Sequence, residues 1–160
     1  MNQKVMLITG GSRGIGAEIA KGAAKQGYFV IVNYTRGAKE AEGVVEQIIS
    51  DGGSGVSIQA DCSKEDEIVR LFNEVDQYGK LDAFVANAGI IGGQNPVTET
   101  TFAQLRELFD INVIGLMIST REAIKRMSTA LGGSGGRIVL MSSVAARTGG
   151  IGQVIDYADS

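Results

Sequence analysis

The chain carries no histidine among its 160 residues, so general acid–base chemistry must come from tyrosine, lysine, aspartate or glutamate. The same absence excludes a zinc site and a His-based triad, and a single cysteine, Cys62, forbids an internal disulfide. What the chain does offer is a seat for phosphate. Leu7-Ile8-Thr9-Gly10-Gly11-Ser12-Arg13-Gly14-Ile15-Gly16 places glycines at G-x-x-x-G-x-G spacing between an apolar run and a helical pattern. Such a turn aims bare backbone N–H groups and the positive end of a helix dipole at one spot. Gly10 would permit the sharp turn, Gly14 would let the backbone approach a pyrophosphate, and Gly16 would let helix pack closely on strand. The alternative is a tight strand-to-helix turn that holds no ligand.

The elements that must position this loop are legible on either side. Val5-Met6-Leu7-Ile8 is a strand-length apolar run, and Ile15, Ile19, Ala20 and Ala23 recur at helical spacing up to Gly27. Tyr28–Asn33 reads as a second strand, unbroken in hydrophobicity as a strand buried on both faces should be. A helical stripe from Gly37 to Ser50 follows, then a short strand over Val56–Ala60. Ser63 looks like an N-cap with Asp66 three residues on, ahead of a helix that carries Ile68, Leu71, Phe72 and Val75 inward. Leu81–Ala86 is a fourth strand, one long helix is expected from about Phe102 to Leu131, and Arg137–Met141 is a fifth strand. Strands alternating with helices mean βαβ units and a parallel sheet. Gly132-Gly133-Ser134-Gly135-Gly136 imitates a phosphate cradle, but it follows a helix and precedes a strand. That is the wrong end of a helix dipole for an anion, so it reads as a C-cap and turn.

Composition agrees with a single globular α/β domain: 44% apolar, 21% charged, and 23 glycines against one proline. The net charge is −3 with scattered Lys and Arg, which gives no nucleic-acid footprint. The N-terminus lacks a signal-peptide layout and no apolar run approaches membrane-spanning length, so a cytoplasmic location is expected.

In a doubly wound sheet, ligands sit at the carboxyl ends of the strands. This chain places small or polar residues at each of them: the glycine loop, Asn33-Tyr34-Thr35-Arg36, Asp61-Cys62, Asn87-Ala88-Gly89 and Ser142-Ser143. Asn112 is conspicuous for another reason. It falls inside the apolar stripe of Leu105, Leu108, Phe109 and Leu116, where an amide must find hydrogen bonds.

Threonine before the glycine motif, Ser-Arg within it, Asn-Ala-Gly after strand four, Ile111-Asn112-Val113, and Ser143 followed by Tyr157 occur in one order. In that order they resemble the classical short-chain dehydrogenase/reductase family. The resemblance implies a Rossmann-type doubly wound sheet of order 3-2-1-4-5, which in the family continues to strands six and seven. It implies hydride transfer between a nicotinamide and a carbonyl or alcohol carbon of a small-molecule substrate. Tyr157 would exchange the proton, Ser143 would hydrogen-bond the substrate oxygen, and Asn112 would hold a water in the proton relay. For Asn112, bracing of neighbouring backbone is an alternative compatible with that role. The implied cofactor contacts are Gly10, Ser12, Arg13, Gly14, Ile15 and Gly16, then Asn33 and Arg36, Asp61 and Cys62, and Asn87, Ala88 and Gly89. Asp61 would meet the adenine amino group, or else cap the next helix. Ala86 stands where the family usually has a first asparagine. The rival from another class is a dinucleotide-binding module without catalysis.

Cofactor choice follows from the end of strand two. A reader of the ribose 2′-hydroxyl needs an acid there, and the chain offers no carboxylate until Glu40. In similar proteins a basic residue at the position of Arg13 faces a 2′-phosphate. NADP(H) is therefore expected over NAD(H).

The family motif Y-x-x-x-K sets a lysine one helical turn after the tyrosine, and the sequence ends at Ser160, one residue short of it. That lysine favours the phenolate of a group whose free pKa is about 10. The resemblance covers the whole chain but only about the first two-thirds of a family domain. The expectation is of a truncated domain, a homodimer or homotetramer when full length and inactive when cut. Cutting there would leave Ile138, Val139 and Leu140 on an unpaired edge, and residues 1–160 alone should be aggregation-prone or marginally folded.

Overall fold

The computed structural model describes residues 3–93, 96–149 and 155–158. Five parallel strands, β1 Val5–Ile8, β2 Phe29–Tyr34, β3 Ser54–Gln59, β4 Leu81–Ala86 and β5 Arg137–Leu140, form one sheet in the order β3-β2-β1-β4-β5. The expected topology is the one observed. Its centre is dry: Leu7, Ile8 and Val30 to Val32 are completely buried. Alternate residues of each strand serve opposite faces, so Leu7 and Ile31 join one apolar layer while Ile8, Val30 and Val32 join the other. The unbroken apolar runs Val5–Ile8 and Phe29–Val32 are the consequence of having helices on both sides.

One layer is closed by α1 Gly14–Lys25 and α2 Ala38–Ser50. Ala17, Ala20, Ala23 and Ala24 are the buried face of α1, small enough for the helix to lie close on the sheet. The other layer is closed by α3 Glu65–Val75 and α5 Leu116–Met127, with Phe72 edge-on to Phe84, ring centroids 5.4 Å apart. Glu65, Asp66 and Glu67 suit the positive first turn of α3.

Two expectations about the helices are corrected. Ser63 is not the cap of α3. Lys64 holds the N-cap position without a side-chain bond, and Ser63 is engaged by Asp61, whose Oδ1 accepts from the Ser63 N–H at 3.0 Å and hydroxyl at 2.8 Å. The acid two residues upstream takes the Ser63 N–H that Asp66 would accept in a capping box, and holds the hydroxyl in a turn of its own. The long helix over 102–131 is also not continuous. It begins as α4 Phe102–Phe109, with Thr101 and Gln104 as a reciprocal capping box. It widens to a π turn over Asp110–Gly115, resumes as α5, and ends in a short 3-10 turn, Thr129–Leu131. Gly132, left-handed at φ +88°, terminates it, and Gly133 and Gly135 donate back to Ser128 and Met127. The glycine-rich segment there is a helix end, as its position in the sequence indicates.

Among the described residues β5 is the sheet's outer strand on the β4 side, and Val139 and Leu140 are half exposed. Beyond it lie two short helices, α6 Ala145–Thr148 and α7 Ile155–Ala158.

Candidate functional site

The glycine loop is fastened from three strands. Buried Thr9 ends β1, and its hydroxyl oxygen accepts from the Asn87 and Ala88 N–H groups at 3.1 and 3.2 Å. The Asn87 amide returns two bonds, donating to the Thr9 and Gly10 carbonyls at 3.0 and 2.9 Å. From the other side, the Asn33 Oδ1 accepts from the Gly10 N–H at 3.3 Å, while its Nδ2 donates to the Ile58 and Ala60 carbonyls. Thr9 carries a structural role that reading the motif glycine by glycine misses. The available signal was a hydroxyl at the end of an otherwise apolar strand.

Within the loop the glycines divide the work. Gly10 is left-handed, φ +63°, and a side chain there would meet the Ala88 Cα at 2.9 Å. A Cβ on Gly16 would lie 2.5 Å from the Gly10 carbonyl oxygen and 2.6 Å from the Asn87 amide, so the first turn of α1 packs directly on the loop and the end of β4. Gly14, φ +55°, has open space where its side chain would be. Arg13 is the N-cap of α1 in extended conformation, with no side-chain cap bond, and no acid sits in the first turn. The helix therefore presents bare N–H donors and an uncompensated positive end beside open backbone, which is what a pyrophosphate fits.

Above the ends of β1, β4 and β5 lies a cleft of about 450 Å³. It brings together Asn112, Ser143 and Tyr157, and sets them beside Ile15 and the Asn87-Ala88-Gly89 segment. Ile15 is 64% exposed, because it forms the cleft wall instead of continuing the buried face of α1. Asn112 sits in the π turn and clamps the backbone of Ile90. Its Oδ1 accepts from the Ile90 N–H and its Nδ2 donates to the Ile90 carbonyl, both at 2.9 Å. Asn112 is half-buried, and the bracing expected of an amide in the apolar stripe is present. Ser143 follows β5, and its oxygen accepts from the Ala145 N–H at 3.2 Å, which leaves its hydroxyl proton to be donated. Tyr157 is half-buried on α7.

Arg13 lines an adjoining groove of about 610 Å³ with Gly89 to Gly93, Gln104 and Glu107. Ser12 is half-buried in the loop, and Arg36 is exposed just past β2 and lines neither space.

Two side chains expected among cofactor contacts point elsewhere. Asn33 and Cys62 are 1% and 4% exposed, and the Cys62 thiol donates to the Asn33 Oδ1 at 3.4 Å. They brace the loop from inside the protein. Burial, with the Asp61 and Glu67 carboxylates nearby, pushes the Cys62 thiol up to about 12, so it is an inert packing group. Asp61 is half-buried. Burial acts to raise its carboxyl, but the bonds from Ser63 and the nearby Lys64 ammonium outweigh it and hold Asp61 below the usual carboxylate range. It is an ionised acceptor at the end of β3, committed to the turn it closes.

This parallel sheet, with its glycine loop and a cleft over the strand ends, is a Rossmann-like α/β fold. The chain belongs to the short chain dehydrogenase family, which it matches over residues 4–160. It is 43% identical over 157 residues to the uncharacterised oxidoreductase YgfF of Escherichia coli K12, covering 98% of this chain and 64% of YgfF. A short chain dehydrogenase from Burkholderia cenocepacia J2315, solved in complex with NADP, superposes with TM-score 0.88 at 31% identity, covering 98% of this chain and 62% of that one. An NADH-dependent reductase, A1-R', complexed with NAD, superposes with TM-score 0.90 at 26% identity, over 99% and 67% of the two chains. The chain thus spans less than two-thirds of the length of YgfF. No helix among the described residues is long and apolar enough to cross a membrane.

Proposed function

We propose that the chain is the cofactor-binding portion, together with much of the proton-transfer apparatus, of an NADP(H)-dependent oxidoreductase that interconverts a carbonyl and an alcohol. The observation that carries this reading is one cleft in which Tyr157, Ser143 and Asn112 face the end of β4 beside the glycine loop. A bound nicotinamide dinucleotide supplies or takes up the hydride. The residues of the chain do the rest. The bare N–H groups at the start of α1 hold the pyrophosphate, with Gly14 giving it room, and Ser12 adds a hydroxyl. Ala88 and Gly89 form a low floor for the ribose, and Asp61 lies at the adenine end. The Ser143 hydroxyl donates to the substrate oxygen and Tyr157 exchanges the proton with it. Asn112 keeps the Ile90 segment in place and serves the water relay.

The preference for the phosphorylated cofactor rests on charge. Arg13 and Arg36 are exposed and, among the described residues, their guanidinium groups make no hydrogen bond or ion pair, while no carboxylate follows β2 before Glu40. Of the relatives in this fold, the Burkholderia cenocepacia dehydrogenase is solved with NADP and the reductase A1-R' with NAD, and the proposed preference is read from charge alone. Phe109 of α4 and Ile124 of α5 are exposed apolar residues, which supports assembly as a homodimer or homotetramer.

The test is turnover by the full-length protein with NADPH or NADH across a panel of small carbonyl compounds. Reduction with NADPH favoured is the expected result. Tight cofactor binding without turnover of any carbonyl would make the protein a dinucleotide-binding module instead.

A further inference from the structure

Asn112 reaches Ile90 because the helix carrying it is interrupted at that point. Asp110–Gly115 forms a π turn, wider than the α-helical turns before and after it. Its last residue, Gly115, is buried and has ordinary helical dihedrals, φ −61° and ψ −40°. Conformational freedom is therefore not what this glycine supplies. It supplies space: a Cβ there would collide with the Cys62 carbonyl oxygen and lie 3.0 Å from the Asp110 carbonyl oxygen. Both obstacles are backbone atoms and cannot swing aside.

The Cys62 side of the contact is stiff. The Asp61 N–H donates to the Glu67 Oε2 at 2.8 Å, Ser63 donates twice to the Asp61 carboxylate, and the Cys62 side chain is buried against Asn33. Any added atom at position 115 must therefore displace the helix. The residues nearest the displacement are those of the π turn, Asn112 among them.

We infer that Gly115 is a positioning residue for the site. Its missing side chain seats the helix on the Cys62 carbonyl, and that seat holds the π turn in the form that offers Asn112 to both polar groups of Ile90. Through Ile90 it places Gly89, Ile90 and Ile91, which line the cleft. The kinetic consequence rests on the oxidoreductase reading, whereas the structural consequence does not.

The experiment uses full-length protein and the Gly115→Ala, Asn112→Ala and doubly substituted variants. Amide exchange should quicken about tenfold at Ile90 in Gly115→Ala, while Leu7 and Ile31 in the central strands keep their protection. The kcat should fall about tenfold with the cofactor KM little changed. The double variant should be no slower than Asn112→Ala alone, because the two positions act through one contact. Unchanged Ile90 protection overturns the inference, and so do multiplying kcat losses in the double variant. If the wild-type protein turns over no carbonyl, the oxidoreductase reading fails and the exchange result alone decides. Should Gly115→Ala fail to fold, deletion of exposed Ile114 narrows the π turn while leaving Gly115 in place. Faster exchange at Ile90 is then expected, and retained protection overturns the inference. Failure of both variants to fold makes Gly115 a stability residue only and also overturns it.

Discussion

On the glycine-loop side of the cleft, Thr9, Asn33 and Asn87 tie the ends of β1 to β4 to one another, and Leu7, Ile8 and Val30 to Val32 beneath them are fully buried. On the β5 side, Val139 and Leu140 are half exposed, α6 buries no residue, and Val144 is 71% exposed. The first side is built of backbone contacts so close that a methyl group does not fit. The second carries Ser143 and Tyr157 on elements that the described residues pack only lightly. The difference teaches where damage should appear. Substitution on the first side should disturb cofactor affinity and stability together, and on the second it should disturb turnover alone.

The largest expected effect is on the lightly packed side. Tyr157→Phe in the full-length protein keeps the ring and removes the exchangeable proton. Turnover should fall by about 10²–10⁴-fold, the range for losing a general acid–base group. Cofactor affinity, read by fluorescence titration, should stay near the wild-type value. A loss of affinity matching the loss of rate would erase the contrast between the two sides.

Gly16→Ala tests the tightly packed side. Its Cβ would stand 2.5 Å from the Gly10 carbonyl oxygen, so the loop or α1 must move. Overpacking of this kind costs about 1–3 kcal/mol, visible as a lowered Tm. Misplacing one charge-assisted hydrogen bond to the pyrophosphate should weaken cofactor binding roughly 10- to 100-fold. Unaltered affinity in calorimetry would show that the loop tolerates what its geometry forbids.

Arg13→Ala should be milder and selective. Affinity for NADPH should drop about tenfold, the scale of one exposed charge-assisted bond, with NADH binding unchanged. Equal losses for the two cofactors would remove Arg13 from 2′-phosphate recognition.

How far the sequence announces these sides differs in the same way. The glycine loop is legible because Gly10 and Gly16 leave no room for a side chain, Gly14 takes a left-handed turn that favours glycine, and a strand and a helix bracket them. The strands are legible because burial on both faces leaves only apolar residues such as Val30, Ile31 and Val32. The π turn is not, since Leu105, Leu108, Phe109 and Leu116 keep a helical spacing across it and one extra residue in a turn leaves no mark on that pattern. The Asn33 brace is hidden for another reason: its partners Gly10, Ile58 and Cys62 lie 23 to 29 residues away in sequence and meet only in the sheet. Ser63 misleads because Asp61 and Asp66 could each accept its backbone N–H, and Asp61, two residues upstream, takes it.

The smallest expected effect lies behind the cleft and should touch stability alone. Glu122 of α5 is 4% exposed, and it lines neither the cleft nor the groove beside Arg13. Its carboxylate accepts from Lys125 at 2.8 Å, Arg121 at 3.0 Å and Arg126 at 3.1 Å. Arg126 continues to Asp76 on the α3 side, with its guanidinium 5.3 Å from the centre of the Phe72 ring. Burial acts to raise the Glu122 carboxyl, but the bonds from Lys125, Arg121 and Arg126 outweigh it and hold the group below its ordinary value of 4.5. A folded-state pKa below the unfolded one stabilises the protein fully above the unfolded value. That contribution is lost as pH falls through the folded one. Glu122→Gln keeps the shape and one acceptor oxygen but drops the charge, so it should cost about 1 kcal/mol at neutral pH. The gap between wild type and variant in thermal unfolding should close as pH drops below about 4, because protonation then removes the same charge from the wild type. Cofactor affinity should not move. A gap that persists in acid would mean that the substitution acts through packing, and a fall in affinity would show that the α3–α5 tie supports the cleft after all.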